Sequence, residues 1–176
     1  MAEHAEYKRP LPLPDEETAD YWEGARRHQL IIRRCQDCQY YIHYPKARCP
    51  RCRSANVSGS AVSGRGRIYS YSIVHVALAP GFDPPYAVVL VELDEQSDVR
   101  ILTNLVDCPL DEVRIGMPVE VVYHDVTPET TLPQFRPTVA EPHQAAEPHQ
   151  HFRPAPAGHA DVAQRPAQPP TREVHG

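Results

Sequence analysis

Aromatic residues are scarce in this chain. They make up 7% of its 176 residues, with one tryptophan and three phenylalanines. No stretch approaches the roughly eighteen consecutive apolar residues of a membrane-spanning helix. The N-terminus, Met-Ala-Glu-His-Ala-Glu, has neither the basic nor the apolar region of a secretory signal. These absences predict a soluble, cytoplasmic protein with no membrane span. Catalytic patterns are missing too. There is no nucleophile elbow and no glycine-rich nucleotide fingerprint. An active-site assignment needs converging groups, and none converge, so no catalytic residue is assigned. His75 alternates with apolar residues and reads as a structural histidine. Cys108, a lone cysteine after a strand with no His or Asn motif nearby, reads as a small buried hydrophobe.

Charge is unevenly spread. The net charge is -5, yet between Arg26 and Arg67 there are ten Lys/Arg and a single acid, Asp37. A local basic surface on an acidic protein points to a specific anionic ligand or partner rather than general polyanion affinity.

The same basic stretch holds Cys35-Gln-Asp-Cys38 and, ten residues on, Cys49-Pro-Arg-Cys52. Four thiolates at this spacing can close a tetrahedron around one zinc ion. Two disulfides or redox dithiols are the competing reading. A redox C-x-x-C normally comes once and opens a helix, whereas here there are two, and the second contains Pro50. The expected cofactor is one structural zinc per chain, held by Cys35, Cys38, Cys49 and Cys52. Such a closed site leaves no position for a reactive water.

The rest of the chain reads as mainly β. Residues 1–14 are polar, proline-rich and extended. Asp15 can cap a helix over 15–29, with Glu16 and Glu17 in the first turn. The pair Tyr21-Trp22 on that helix is a candidate partner contact, the alternative being packing on the chain's own core. Residues 30–56 form the cysteine ribbon. Gly59, Gly64 and Gly66 read as turn or bulge positions. From Ile68 to Val76 the pattern alternates, which places Tyr69, Tyr71, Ile73 and His75 on one face. Further strands follow at 86–93, 99–106, 119–123 and 132–136, with a helical turn near 109–113. Five strands with a helical piece between the third and fourth match a Greek-key OB barrel over 57–137. Beyond it, Ala140-Glu-Pro-His-Gln144 is repeated as Ala146-Glu-Pro-His-Gln150, and residues 138–176 are expected to be a disordered Pro/His-rich tail.

The order of these motifs resembles a family. An N-terminal Tyr-Trp helix precedes Ile-Ile-Arg-Arg-Cys-Gln-Asp-Cys and Tyr-Pro-Lys-Ala-Arg-Cys-Pro-Arg-Cys. Then come Gly-Arg-Gly-Arg-Ile-Tyr-Ser-Tyr-Ser-Ile-Val-His, Pro-Pro-Tyr-Ala-Val-Val-Leu-Val-Glu-Leu and Ile-Gly-Met-Pro-Val-Glu-Val. Together they are similar to the DUF35 proteins, a rubredoxin-like zinc ribbon joined to an OB-fold, over roughly residues 16–137. The resemblance implies a non-catalytic subunit that accompanies a thiolase-fold enzyme and helps hold its acyl-CoA. It also implies that the catalytic residues sit on the partner. Thiolase-fold proteins are usually dimers, so a two-plus-two hetero-oligomer is expected.

Coenzyme A carries a 3′-phosphate and a pyrophosphate, which suit arginine forks. The candidate contacts are Arg48, Arg51, Arg53, Arg65 and Arg67, with Tyr69 or Tyr71 stacking on adenine. A solvated face, or salt bridges to an acidic partner, would account for the same arginines. The alternative function is single-stranded nucleic-acid binding, with Tyr69 and Tyr71 as a stacking platform. The chain's acidity and its few aromatics weigh against that reading.

Overall fold

Asp15 opens the first helical segment by a reciprocal pair of hydrogen bonds. Its Oδ1 accepts the Thr18 N–H at 2.8 Å, and Thr18 Oγ1 accepts the Asp15 N–H at 2.9 Å. Two orphan donors are thereby satisfied, as in a capping box. The hydroxyl and amide of Thr18 hold the Asp15 carboxyl below its ordinary range. Helix α1 itself runs over Ala19–Arg26, inside the expected 15–29. Its buried Gly24 and Ala25 let it lie close against the strand that follows.

The computed structural model describes residues 7–77 and 79–138. The repeated Ala-Glu-Pro-His-Gln motif and the expected disorder of the tail lie outside the described residues. None of the described helices is long and apolar enough to cross a membrane.

Two sheets carry the chain. The first joins β1 (Ile31–Cys35), β2 (Tyr41–Ile42) and β3 (Val57–Ala61) in the order β2-β1-β3. The second is a closed barrel of β4 (Arg65–Val74), β5 (Tyr86–Leu93), β6 (Arg100–Leu105), β7 (Pro118–Thr127) and β8 (Thr130–Pro137), ordered β4-β5-β6-β8-β7. A single 3-10 turn, Leu110–Glu112, separates β6 from β7. Closure needs one parallel contact, Leu105 opposite Phe135, and a short seam of β4 on β7 from Arg65–Glu120 to Arg67–Pro118. This is the OB barrel, with its short helical piece between the third and fourth strands.

Burial follows the pleat. On β5, Ala87, Val89, Val91 and Leu93 are buried and their neighbours half-buried. Phe135 fills the centre, fully buried, and a side chain of that size contributes about 1.5–3 kcal/mol by leaving water. Leu30 and Ile32, from the ribbon, belong to the same apolar cluster as the barrel. The ribbon is therefore packed onto the barrel through a shared core. Around the cysteines, a second cluster gathers Cys35, Ile42 and Cys49 with Tyr40 and Val57.

Of the three glycines expected at turns or bulges, Gly59 lies inside β3 opposite Arg33 and Gly66 lies inside β4. Only Gly64 sits in a connection with a left-handed backbone, φ +72°. A Cβ there would stand 2.2 Å from Val121 Cγ1. Its carbonyl accepts the Val121 N–H at 2.7 Å, which ties the ribbon–barrel link to β7.

Candidate metal centre and the faces around it

The two C-x-x-C turns are built alike. The Gln39 N–H donates to the Cys35 carbonyl at 2.9 Å, and the Arg53 N–H donates to the Cys49 carbonyl at 2.9 Å. Likewise Cys35 N–H bonds the Tyr40 carbonyl and Cys49 N–H bonds that of Ser54, each at 2.9 Å. Gln39 and Arg53, the residues just after each pair, both adopt φ +64°. This left-handed turn brings each pair of sulfurs to one side.

All four Sγ atoms lie within 4.8 Å of one another. Cys35–Cys52 and Cys38–Cys49 are each 3.5 Å apart. Zinc–sulfur bonds of about 2.3 Å set the edge of a regular tetrahedron near ~3.8 Å, inside this spread. Backbone amides aim at the sulfurs: Tyr40 at Cys38, Arg51 and Cys52 at Cys49, and Ser54 at Cys52. Such donors favour the thiolate form that a metal needs. The Cys49 thiol is lowered to about 7, while the neighbouring sulfurs and burial outweigh the amides at Cys38 and Cys52, whose thiols are raised. Donor set, spacing and amide cradle fit one structural zinc ion. When bound, it cross-links the two turns. Its four sulfur ligands fill its coordination sphere.

The single acid of the basic stretch has a place here. Asp37 accepts from Ser54 Oγ at 2.5 Å and from Asn56 Nδ2 at 2.8 Å, which links the first turn to the chain leaving the second. These bonds, Ser54 foremost, hold its carboxyl below the usual range.

The ribbon also grips the barrel. Gln96, in the turn between β5 and β6, takes both backbone groups of Tyr41. The Tyr40 hydroxyl donates to Asp98 in the same turn. Neither Gln96 nor Asp98 is marked by the sequence. They stand in an ordinary polar turn, bonded to each other at 2.6 Å, and the ribbon's position adds Tyr40 and Tyr41 as partners.

The proposed coenzyme contacts fall into separate groups. Arg48, Arg51 and Arg53 are exposed on the second cysteine turn, while Arg65 and Arg67 are exposed on β4. Arg65 stands opposite Glu120 and Arg67 opposite Glu92. Those acids also pair with Arg136 and Arg100, at 2.8 and 3.0 Å. A β-bulge between Ile68 and Ser70 shifts the register of β4. Tyr71 pairs with the inward-facing Val89, whereas the bulged Tyr69 has the Arg100 guanidinium 3.5 Å from its ring centroid. Arg100 belongs to the outer row, opposite Glu92. The expected common face of Tyr69 and Tyr71 is thus broken, because an extra residue inverts the alternation. Both rings nevertheless remain exposed, Tyr69 at the bulge and Tyr71 beyond it.

Two further expectations can be placed. His75 lies just past the end of β4 and is exposed, so it is not held in the core. Cys108 is half-buried, packs against the barrel core and bonds the Pro109 carbonyl at 3.4 Å. Burial raises its thiol above the ordinary value. On α1, Tyr21 packs on the barrel core and meets Trp22 edge-on, with ring centroids 5.0 Å apart. Trp22 remains half-buried at the surface.

Comparison with known proteins bears on this arrangement. Residues 22–58 match the family model of the ChsH2 rubredoxin-like zinc ribbon domain, and residues 60–124 match that of the ChsH2 C-terminal OB-fold domain. The chain is 37% identical over 103 residues to a "DUF35 domain-containing scaffold protein" of Methanocaldococcus jannaschii, across 57% of this chain and 71% of that protein. This chain belongs to the DUF35 family. It is also 40% identical over 133 residues to a "Probable enoyl-CoA hydratase alpha subunit" of Thermomonospora curvata. That match takes in 76% of this DUF35 chain but only 41% of the hydratase subunit, so the chain spans about two-fifths of that relative. Among solved structures, a chain of the "Ltp2-ChsH2(DUF35) aldolase" superposes with a TM-score of 0.67 at 40% identity, covering 72% of this chain and 98% of that one.

Proposed function

We propose that this DUF35 chain is a non-catalytic, cytoplasmic subunit. It scaffolds a thiolase-fold enzyme acting on an acyl-CoA, in a two-plus-two assembly. The observation that carries the reading is the character of the one metal-type cluster. Among the described residues, the four-cysteine set is the only group of three or more His, Cys, Asp or Glu placed to hold an ion. Four sulfur ligands leave no position for substrate or water. His75 is exposed, and Cys108, partly buried with a raised thiol, bonds the Pro109 carbonyl. No nucleophile–base pair results. The aldolase named for the superposed chain, and the coenzyme named for the hydratase relative, support placing this chain beside an acyl-CoA enzyme.

Its contribution to the ligand is electrostatic. Arg48, Arg51 and Arg53 are exposed on a rigid turn and offer forks for the 3′-phosphate and pyrophosphate. Each charge-assisted contact near a partly buried surface is worth on the order of 1.5–3 kcal/mol. On β4, Arg65, Arg67 and Tyr69, with Tyr71 beyond the bulge, are further candidate contacts to the ligand, and Trp22 with Tyr21 is a candidate contact to the partner.

The test is co-expression with a thiolase-fold protein, sought among the neighbouring reading frames. A stable complex is expected, with acyl-CoA turnover requiring the partner. The double substitution Arg51→Ala, Arg53→Ala should weaken coenzyme-ester affinity. Turnover by the purified chain alone, lost on replacing Cys108 or His75, would overturn the reading.

A further inference from the structure

An apolar groove lies where the helix, the ribbon and the barrel meet. Its walls include Tyr21 and Trp22 of α1, Ile31 of β1, Tyr44 and Pro45 beyond β2, and Leu102 of β6, around a cavity of about 200 Å³. Two of these walls are unusually bare. Leu102 is 60% exposed and Tyr44 64% exposed. Leu102 stands on the outer row of β6, opposite Leu90, where a strand normally shows a polar side chain to water. Large apolar side chains gathered at a concave site mark an interaction surface.

The charges around the groove select its occupant. Glu17, Asp20 and Arg33 line it. Arg33 is already engaged, bonding the Glu16 carbonyl at 3.0 Å and lying 3.8 Å from Asp20. Glu17 has no ion-pair partner among the described residues. His43 adds no positive charge, since burial pushes its imidazole down to about 4. The lining is therefore apolar with an acidic edge. Coenzyme A is a polyanion and would be repelled by that edge. A second copy would bring the same acids against themselves, on a chain of net charge -5. A protein segment with a basic residue beside an apolar one meets both features.

The geometry points to this groove as the docking site for the catalytic partner, taking one leucine- or phenylalanine-sized side chain flanked by a lysine or arginine. The inference rests on the subunit role proposed above and adds where the partner sits. The buried anchor supplies affinity, as interface hot spots do. Glu17, the lining acid without an ion-pair partner among the described residues, orients the approach. The groove also touches all three elements of the chain, so an anchor seated there would read the ribbon, helix and barrel as one surface.

The test uses the full chain and the co-expressed thiolase-fold partner, with affinity measured by titration calorimetry. Leu102→Asp places a charge at a site already in water, so zinc content and melting temperature should be unchanged. Partner affinity should fall at least ten-fold. Glu17→Lys should weaken binding several-fold and reduce its salt dependence. If the wild-type chain binds the partner and Leu102→Asp binds equally well, the groove is not the docking site, while the subunit role stands. If the wild-type chain binds no thiolase-fold partner, the role and the groove assignment fall together. Loss of self-association in Leu102→Asp would assign the groove to a second copy and overturn the inference. Loss of acyl-CoA affinity without loss of partner affinity would assign it to ligand and overturn it equally.

Discussion

The side-chain amide of Gln96 accepts the Tyr41 N–H at 2.9 Å and donates to the Tyr41 carbonyl at 3.0 Å. One side chain thus stands where a neighbouring strand would be, on the open edge of β2. The two-residue strand is too short to hold position by itself, and Gln96 locks it to the β5–β6 turn.

Gln96→Ala should therefore loosen the ribbon from the barrel. Two part-buried hydrogen bonds are lost, a cost of about 1–3 kcal/mol. The denaturation midpoint should fall accordingly. Amides of the turn at 94–99 should exchange faster while those of β8 do not. Gln96→Glu sets a carboxylate against the Tyr41 carbonyl and Asp98, so its midpoint should fall at least as far and recover as pH is lowered. An unchanged midpoint in Gln96→Ala would show that the shared core alone holds the ribbon.

Cys35→Ser removes one of the four sulfur ligands and should abolish stoichiometric zinc. Because the metal joins the two turns, its loss should also unfold the ribbon. Zinc should leave the wild-type chain as pH falls, since protons compete for the same thiolates. Metal analysis together with circular dichroism measures both. Retained zinc with an unchanged melting curve would contradict a four-thiolate site.

Gln39 and Arg53 are both non-glycine residues at φ +64°. Glycine adopts this region without the Cβ clash, though it loses more chain entropy on folding. Gln39→Gly should be neutral or raise stability by up to about 1 kcal/mol. Gln39→Val should lower it by more than that, as a β-branched residue resists a left-handed backbone. Thermal melts of the zinc-loaded chain decide the order of the three.

Asp125 joins the β7–β8 hairpin to the end of α1. It accepts the Thr131 hydroxyl at 2.6 Å and pairs with His28 at 3.0 Å, while His28 stacks on Tyr123 with ring centroids 5.1 Å apart. Thr131 first, then His28, hold its carboxyl below the ordinary value. A depressed folded pKa stabilises the fold above the unfolded value of about 3.9, and that contribution disappears as pH falls through the folded value. Asp125→Asn should remove this part of the acid-side loss, giving a flatter stability profile below that pH. The same slope in wild type and variant would assign the acid transition to other carboxyls.

Much of the centre was legible in the cysteine spacing, because two identical short turns encode their own geometry. The order of five strands with a helical turn between the third and fourth likewise announced the barrel. The bulge at Tyr69 was not legible: one inserted residue leaves the composition unchanged but inverts every side chain beyond it. His75 left its expected row for another reason: β4 ends at Val74, one residue before it. Gly59 gave no warning that it would sit within a strand, since its pairing depends on β1 lying beside it. Gln96 and the Leu102 groove depend on where the ribbon docks, and contacts so distant in sequence leave no local pattern.

Native mass spectrometry of this chain co-expressed with the proposed thiolase-fold partner tests the subunit role most directly. The account predicts a single species of two chains of each kind, with one zinc for every copy of this chain. Two proteins appearing only at their separate masses, with this chain carrying no metal, would contradict it.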